Sequence, residues 1–318
     1  MTKAAALALA AATLVAAGAF AKDVLPESGP LAPNTMQRLL LVDGARAGTR
    51  VVAVGDRGYI VTSDDQGATW KRAKAPSAPL LTAVGFVDEK RGWAVGHDSI
   101  ILATTDGGDS WVRQFSAPAE QRPLLGVLFL NGQRGFAIGA YGAFYETTNG
   151  GAAWTPRKVT ADDKHLNAIL DVGKGRLVIL GEAGTILRSP DSGATWQAVA
   201  SPYKGSFFGG IVAHDGSVLA FGLRGRIYRS ADAGATWTQV ANPSDAAIMS
   251  ATLLADGAVL LSGNAGSLLV SRDNGQTVTA IASGRRGVIA KSLAGSSGAL
   301  LLLGEAGARS LPVAAPPK

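Results

Sequence analysis

From Met36 onward the chain alternates short apolar runs with clusters of Gly, Asp, Asn, Ser and Pro. Leu81-Thr-Ala-Val-Gly-Phe86 is followed by turn residues Asp88 to Arg91, then by Gly92-Trp-Ala-Val95. A glycine at position 96 leads to Ile100-Ile-Leu-Ala-Thr104, and a second turn leads to Ser110-Trp-Val-Arg-Gln-Phe115. Runs of this length, rich in branched and aromatic residues and bounded by turn formers, predict strands. Four of them in about forty residues predict one antiparallel blade of a β-propeller. No helical period of any length interrupts the pattern.

The unit repeats. Trp70, Trp111, Trp154, Trp196 and Trp237 recur every 41 to 43 residues, and Val278 takes the next place. Each closes an octapeptide of the form Ser/Thr-x-Asp-x-Gly-x-Thr-Trp, the Asp-box, as in Ser63 to Trp70 and Thr104 to Trp111. Its physics is that of a hairpin turn. The acid at Asp65, Asp106, Asn149, Asp191, Asp232 or Asp273 accepts backbone N–H groups just ahead of it, and Gly supplies a left-handed backbone. The terminal Trp then anchors the outgoing strand against the neighbouring repeat.

A Gly-x-x-Gly turn runs in phase with the box. It begins at Gly55, Gly96, Gly139, Gly181, Gly222, Gly263 and Gly304, and only the copy at Gly96 ends differently, in Ser99. Seven such hairpins predict an all-β, seven-bladed propeller of four-stranded antiparallel blades spanning residues 22–318. The seventh blade lacks a fourth strand after Leu311, so the expectation is that the N-terminal segment, around Lys22 to Pro26, supplies its outer strand and closes the ring.

Residues 1–21 read as a secretory signal peptide. Lys3 precedes an apolar, Ala-rich run, and Ala19-Phe20-Ala21 offers a small-x-small cleavage site before Lys22. The expected location is therefore the periplasm or another exported compartment. The chain has no Cys, which excludes disulfides, thiolate metal sites and a lipidated cysteine. Thirty Lys and Arg face 24 Asp and Glu, giving a net charge of +6. Export argues against nucleic acid as the partner, so an acidic protein surface or anionic headgroups fit the charge better.

In a propeller the turns between second and third strands share a face with the blade connections, and the Asp-box turns lie opposite. The first face should carry Arg57, His97, Tyr141, Glu182, Arg224, Asn264 and Glu305, with Arg122, Lys164, His165, Lys204, Arg285 and Arg286 from the connections. Arg57, Arg122, Tyr141, Arg224, Arg285 and Arg286 are the candidate partner-binding residues. A second basic set precedes the box serine: Arg188, Arg229 and Arg309 are read as equivalent, with Arg226 on the same side of its strand as Arg229. It has two readings, surface pairing with Asp or Glu and a binding patch.

With these residues in place the chain resembles the photosystem II stability/assembly factor family. The resemblance rests on Phe86-Val-Asp-x-x-x-Arg-Gly-Trp-Ala-Val-Gly96, followed by the box ending at Trp111, and on its repetition from Arg134-Gly-Phe-Ala-Ile-Gly139 to Trp154. It covers nearly the whole of residues 22–318. It implies a lumenal or periplasmic seven-bladed propeller acting as an assembly factor, a non-enzymatic scaffold that holds a membrane-protein subunit through an arginine-rich patch. The signal peptide and drifted later blades point to a non-photosynthetic bacterial relative, whose client is another envelope membrane protein. No cofactor or metal is implied, and the chain is expected to be monomeric.

The alternative is a sialidase-like glycoside hydrolase or a carbohydrate-binding propeller, since Asp-boxes occur there too. A sialidase needs an arginine triad, a Tyr–Glu nucleophile pair and an acid. Tyr145 beside Glu146 is the one Tyr–Glu candidate, and the Arg-Ile-Pro motif is missing. His97, His165 and His214 are dispersed, without metal-ligand spacing.

Overall fold

A computed structural model of the chain describes residues 28–76, 79–284, 286–295 and 299–312. Seven antiparallel sheets follow one another along the chain, each built from consecutive strands. Blade two runs Leu81–Phe86, Gly92–Gly96, Ile101–Thr104 and Val112–Phe115, and blades three to six repeat that order. The only α-helix among the described residues is the single turn Pro33–Met36.

The first and last blades differ from the rest. Blade one has four strands of its own, Leu41–Ala47, Arg50–Gly55, Ile60–Ser63 and Lys71–Arg72. Gly29–Pro30 adds a fifth strand outside them, antiparallel to Lys71–Arg72. Blade seven has three described strands, Ile289–Ala294, Ala299–Gly304 and Gly307–Pro312. The segment Lys22 to Pro26, expected to complete it, lies outside the described residues.

The core lies between blades. Each second strand, and the third strand of blades one to six, is buried on both faces, as in Val51, Val52, Ala53 and Val54, so these strands read as continuous apolar runs, whereas the third strand of blade seven, Gly307–Pro312, is largely exposed. At the seam where the ring closes, Met36, Leu41, Val51 and Trp70 pack against Leu293, Leu301 and Leu303. A main-chain bond from Gly307 to the Leu39 carbonyl, 2.9 Å, ties the same two blades. Closure among the described residues therefore rests on a buried apolar seam, the term that scales with apolar area removed from water.

Every first strand carries a bulge after its opening residue, where the register shifts from Leu41 to Asp43, from Leu81 to Ala83 and likewise around the ring. A bulge turns one extra side chain out of the ladder. Val42, Thr82, Leu125, Asn167, Phe208, Met249 and Ala290 are those extra residues, and they line a central cavity of about 440 Å³.

Candidate binding face

The ring has two distinct ends. At one, the Gly-x-x-Gly turns meet the blade connections: His97 N–H donates to the Leu80 carbonyl at 3.0 Å, Gly142 to Lys164 at 2.9 Å and Gly266 to Gly287 at 2.7 Å. At the other, the Asp-boxes meet the turns between first and second strands: Gly107 donates to Lys90 at 2.9 Å and Gly150 to Gln133 at 2.8 Å. The two sets of loops separate as the repeat predicts.

The Asp-box end is a set of closed clasps. In blade one the Ser63 hydroxyl donates to Asp65 Oδ1 at 2.8 Å and accepts from Gly67 N–H at 2.7 Å. Asp65 Oδ1 also accepts from the Thr69 N–H at 2.8 Å, and its Oδ2 from the Thr69 hydroxyl at 2.5 Å. These Thr69 bonds hold the Asp65 carboxyl down at about 2. Burial raises the Asp232 and Asp273 carboxyls, but bonds from Thr236 and Thr277 outweigh it and bring both to about 2. Gly234 (φ 86°) shows why the box glycine is needed twice over: a Cβ there would sit 2.6 Å from Val178 of the preceding blade. The tryptophans reach the same way. Trp70 packs on Leu301 of blade seven, and Trp196 meets Phe136 and Phe144 of blade three edge-on.

The connection end is where the candidate residues gather. Arg57, Tyr141 and Arg224 each sit third in their turn at φ 52–56°, a left-handed backbone that aims the side chain outward. Arg57 has 84% of its side chain exposed and lies 3.4 Å from Asp56. Arg122 is half-exposed, 3.9 Å from Glu120, and Lys164 pairs with Asp162 at 2.7 Å. Tyr141 stands edge-on to His165, whose ring lies 3.4 Å from Glu182. Arg224, Arg226 and Arg286 are exposed and form no ion pair with a described carboxylate. Arg285 lies outside the described residues.

Two features of this face were not foreseen. Its charge is divided rather than uniform: Asp98, Glu120, Asp162, Asp163 and Glu182 outnumber Arg122 and Lys164 over blades two to four, whereas Lys204, Arg224, Arg226, Arg286 and Arg57 stand over blades five to seven and one. Asp56, Asp245 and Glu305 are the acids of the basic sector. Moreover, Leu40, Tyr141, Leu223 and Val288, each 38–54% exposed, all lie on this face, and Val112 and Leu253 are the other large exposed apolar residues described. Exposed apolar groups set among polar ones mark interaction surfaces.

The second basic set resolves differently from its expected equivalence. Arg188 Nε donates to the Ala233 carbonyl at 3.0 Å and Arg229 Nε to the Asn274 carbonyl at 2.8 Å. Each thus reaches the Asp-box of the following blade, and Arg229 also pairs with Asp215 at 2.7 Å. Both stand opposite the residue three before the first turn glycine, Val178 and Leu219. Arg309 does not share that place. The last hairpin is tighter, with Gly304 paired directly to Gly307, so Arg309 stands opposite Leu302 and projects to the other side of its sheet. Arg226 precedes its strand, Ile227–Ser230, by one residue and lies three from Arg229, so the two do not share a side.

Tyr145 and Glu146 diverge as neighbours in a strand must. Glu146 pairs with Arg157 at 2.6 Å. The buried Tyr145 hydroxyl donates instead to Glu120 Oε2 at 2.8 Å, and burial followed by this acceptor pushes its pKa up. Among the described residues, no three His, Asp or Glu side chains converge to hold a metal.

Repeated blades, Asp-box clasps between them and a polarised, partly apolar connection end define a seven-bladed Asp-box β-propeller. Residues 113–258, a little under half of the chain, match the family model described as photosynthesis system II assembly factor YCF48, so the resemblance to that family extends to the sequence over that span. A solved structure of YCF48 bound to D1 peptide is 22% identical, with a TM-score of 0.72 over 91% of this chain and 97% of that one. YCF48 from Cyanidioschyzon merolae is 17% identical, TM-score 0.66, covering 89% and 97%. The GH74 enzyme of Niastella koreensis is 16% identical, TM-score 0.68, covering 89% of this chain but 53% of its own. At these identities the structural likenesses show the fold. No curated protein sequence matches the chain.

Proposed function

We propose that this propeller is a non-enzymatic, monomeric assembly scaffold, exported by residues 1–21, that holds a membrane-protein client of the cell envelope on its connection face. The observation that carries the reading is the composition of that face: Arg224, Arg226 and Arg286, without an ion-pair partner among the described residues, on the same face as exposed Leu40, Leu223 and Val288. Arginine and aromatic or aliphatic groups are what protein interfaces gather. The solved YCF48 carries a D1 peptide, which supports reading a propeller of this build as a protein-binding one. The Asp-box end, whose polar groups are spent on clasps within the ring, has less to offer a partner. Capture from a detergent extract of envelope membranes, with purified residues 22–318 as bait, tests the reading. Salt-sensitive retention of one membrane protein supports it; hydrolysis of a fluorogenic glycoside that one carboxylate substitution abolishes would replace it with an enzyme.

A further inference from the structure

Three cavities lie side by side along the outer part of the connection face. The first, about 750 Å³, is lined by Arg224, Arg226 and Val240. The second, about 530 Å³, shares Ser244 with it and adds Ile281 and Arg286. The third, about 250 Å³, shares Arg286 and ends at Val288 and Arg309, beside the last blade's outermost described strand. With Ser244 common to the first two and Arg286 to the last two, the cavities form a row, a groove running from blade five to blade seven. Four arginines line it against two acids, Asp245 and Glu305, and Glu305 Oε1 already accepts the Val288 N–H at 3.3 Å.

We infer that this groove binds an extended, acidic segment of the client, in which carboxylates alternate with apolar side chains. The inference rests on the proposed scaffold role and names the part of the partner that would be recognised. An extended chain turns successive side chains to opposite sides, so one row meets the arginine rim while the other meets Val240, Ile281 and Val288. Guanidinium groups with no carboxylate partner among the described residues are ready for two-pronged bonds to incoming carboxylates. A long, shallow trough across three blades suits a strand better than a folded domain.

The test uses residues 22–318 and a fluorescent synthetic peptide alternating Glu with Leu or Val, read by anisotropy, with a Lys-for-Glu peptide as control. The acidic peptide should bind and the Lys peptide should not. Arg224→Glu with Arg286→Glu should weaken binding roughly tenfold or more, and Arg91→Glu, on the Asp-box side, should leave it unchanged; thermal melts confirm that each variant is folded. Equal binding of the two peptides, or indifference to the double reversal, overturns the inference. If the double variant loses the peptide but still captures the membrane client, the groove inference fails while the scaffold reading stands.

Discussion

Asp43 and Lys291 face each other across the seam of the ring, carboxylate Oδ1 to ammonium at 2.9 Å, with 17% and 26% of their side chains exposed. The other oxygen of Asp43 accepts the Val84 N–H of blade two at 3.0 Å. One carboxylate therefore ties blade one to blades seven and two together. Removing it strands a half-buried ammonium and a main-chain donor at once. Asp43→Ala should cost about 2–4 kcal/mol, and Lys291→Ala less, because the carboxylate keeps its other bond. Denaturant titration of both variants checks the order; equal or reversed losses would contradict it.

The Asp-box of blade three departs from the others in two coupled places. In blade four the second oxygen of Asp191 accepts the Thr195 hydroxyl at 2.6 Å, and blades one, five and six do likewise with Thr69, Thr236 and Thr277. Blade three has Asn149, with Ala153 where the hydroxyl would be, and Asn149 keeps the bond from the Ala153 N–H at 2.9 Å. Asn149→Asp and Ala153→Thr should each gain little alone and together should restore the clasp. A double-mutant cycle is expected to show a favourable coupling of about 1 kcal/mol. Additive effects would mean that the hydroxyl bond does not stabilise the turn. In an intact box, Asp106→Ala should cost about 1–3 kcal/mol, since the Ser110 and Thr104 donors lose their acceptor.

Acid should unfold the ring through these same groups. Asp65, Asp232 and Asp273 are depressed to about 2 in the folded chain, against roughly 3.9 when unfolded. A depressed carboxylate contributes stability that is fully present above the unfolded value and is lost as pH falls through the folded one. Stability from the boxes should therefore hold steady from neutral pH to about 5 and fall between about pH 4 and 2. Denaturant midpoints measured across that range check it. A loss already complete at pH 5 would point to groups other than the boxes.

The blade count, the strand order, both sets of turns and the separation of the two faces were legible in the sequence, because each follows from a local motif repeated in register. What escaped was non-local or depended on a single residue of register. Asp43 and Lys291 meet only because the ring closes, and no motif marks either. Arg309 looks equivalent to Arg188 beside its serine, yet the shorter Gly304 hairpin turns it to the other side. Arg188 and Arg229 read as surface cations, but they reach the next blade's turn carbonyls. The division of charge on the connection face came from the order of the blades around the ring, which a net charge of +6 does not show.

The central claim is that a partner is held on the connection face over its basic sector. Two charge-reversed chains separate the faces: Arg57→Glu with Arg224→Glu on the connection side, and Arg91→Glu with Arg272→Glu beside the Asp-boxes. Co-purification of the membrane client with each, at low and at raised salt, is the direct measurement. The first pair should lose most of the captured client while the second retains it, and raised salt should weaken capture by the unaltered chain, since exposed charges are screened beyond roughly 8 Å at physiological ionic strength. Equal retention by the two pairs, or capture indifferent to salt, would contradict the claim.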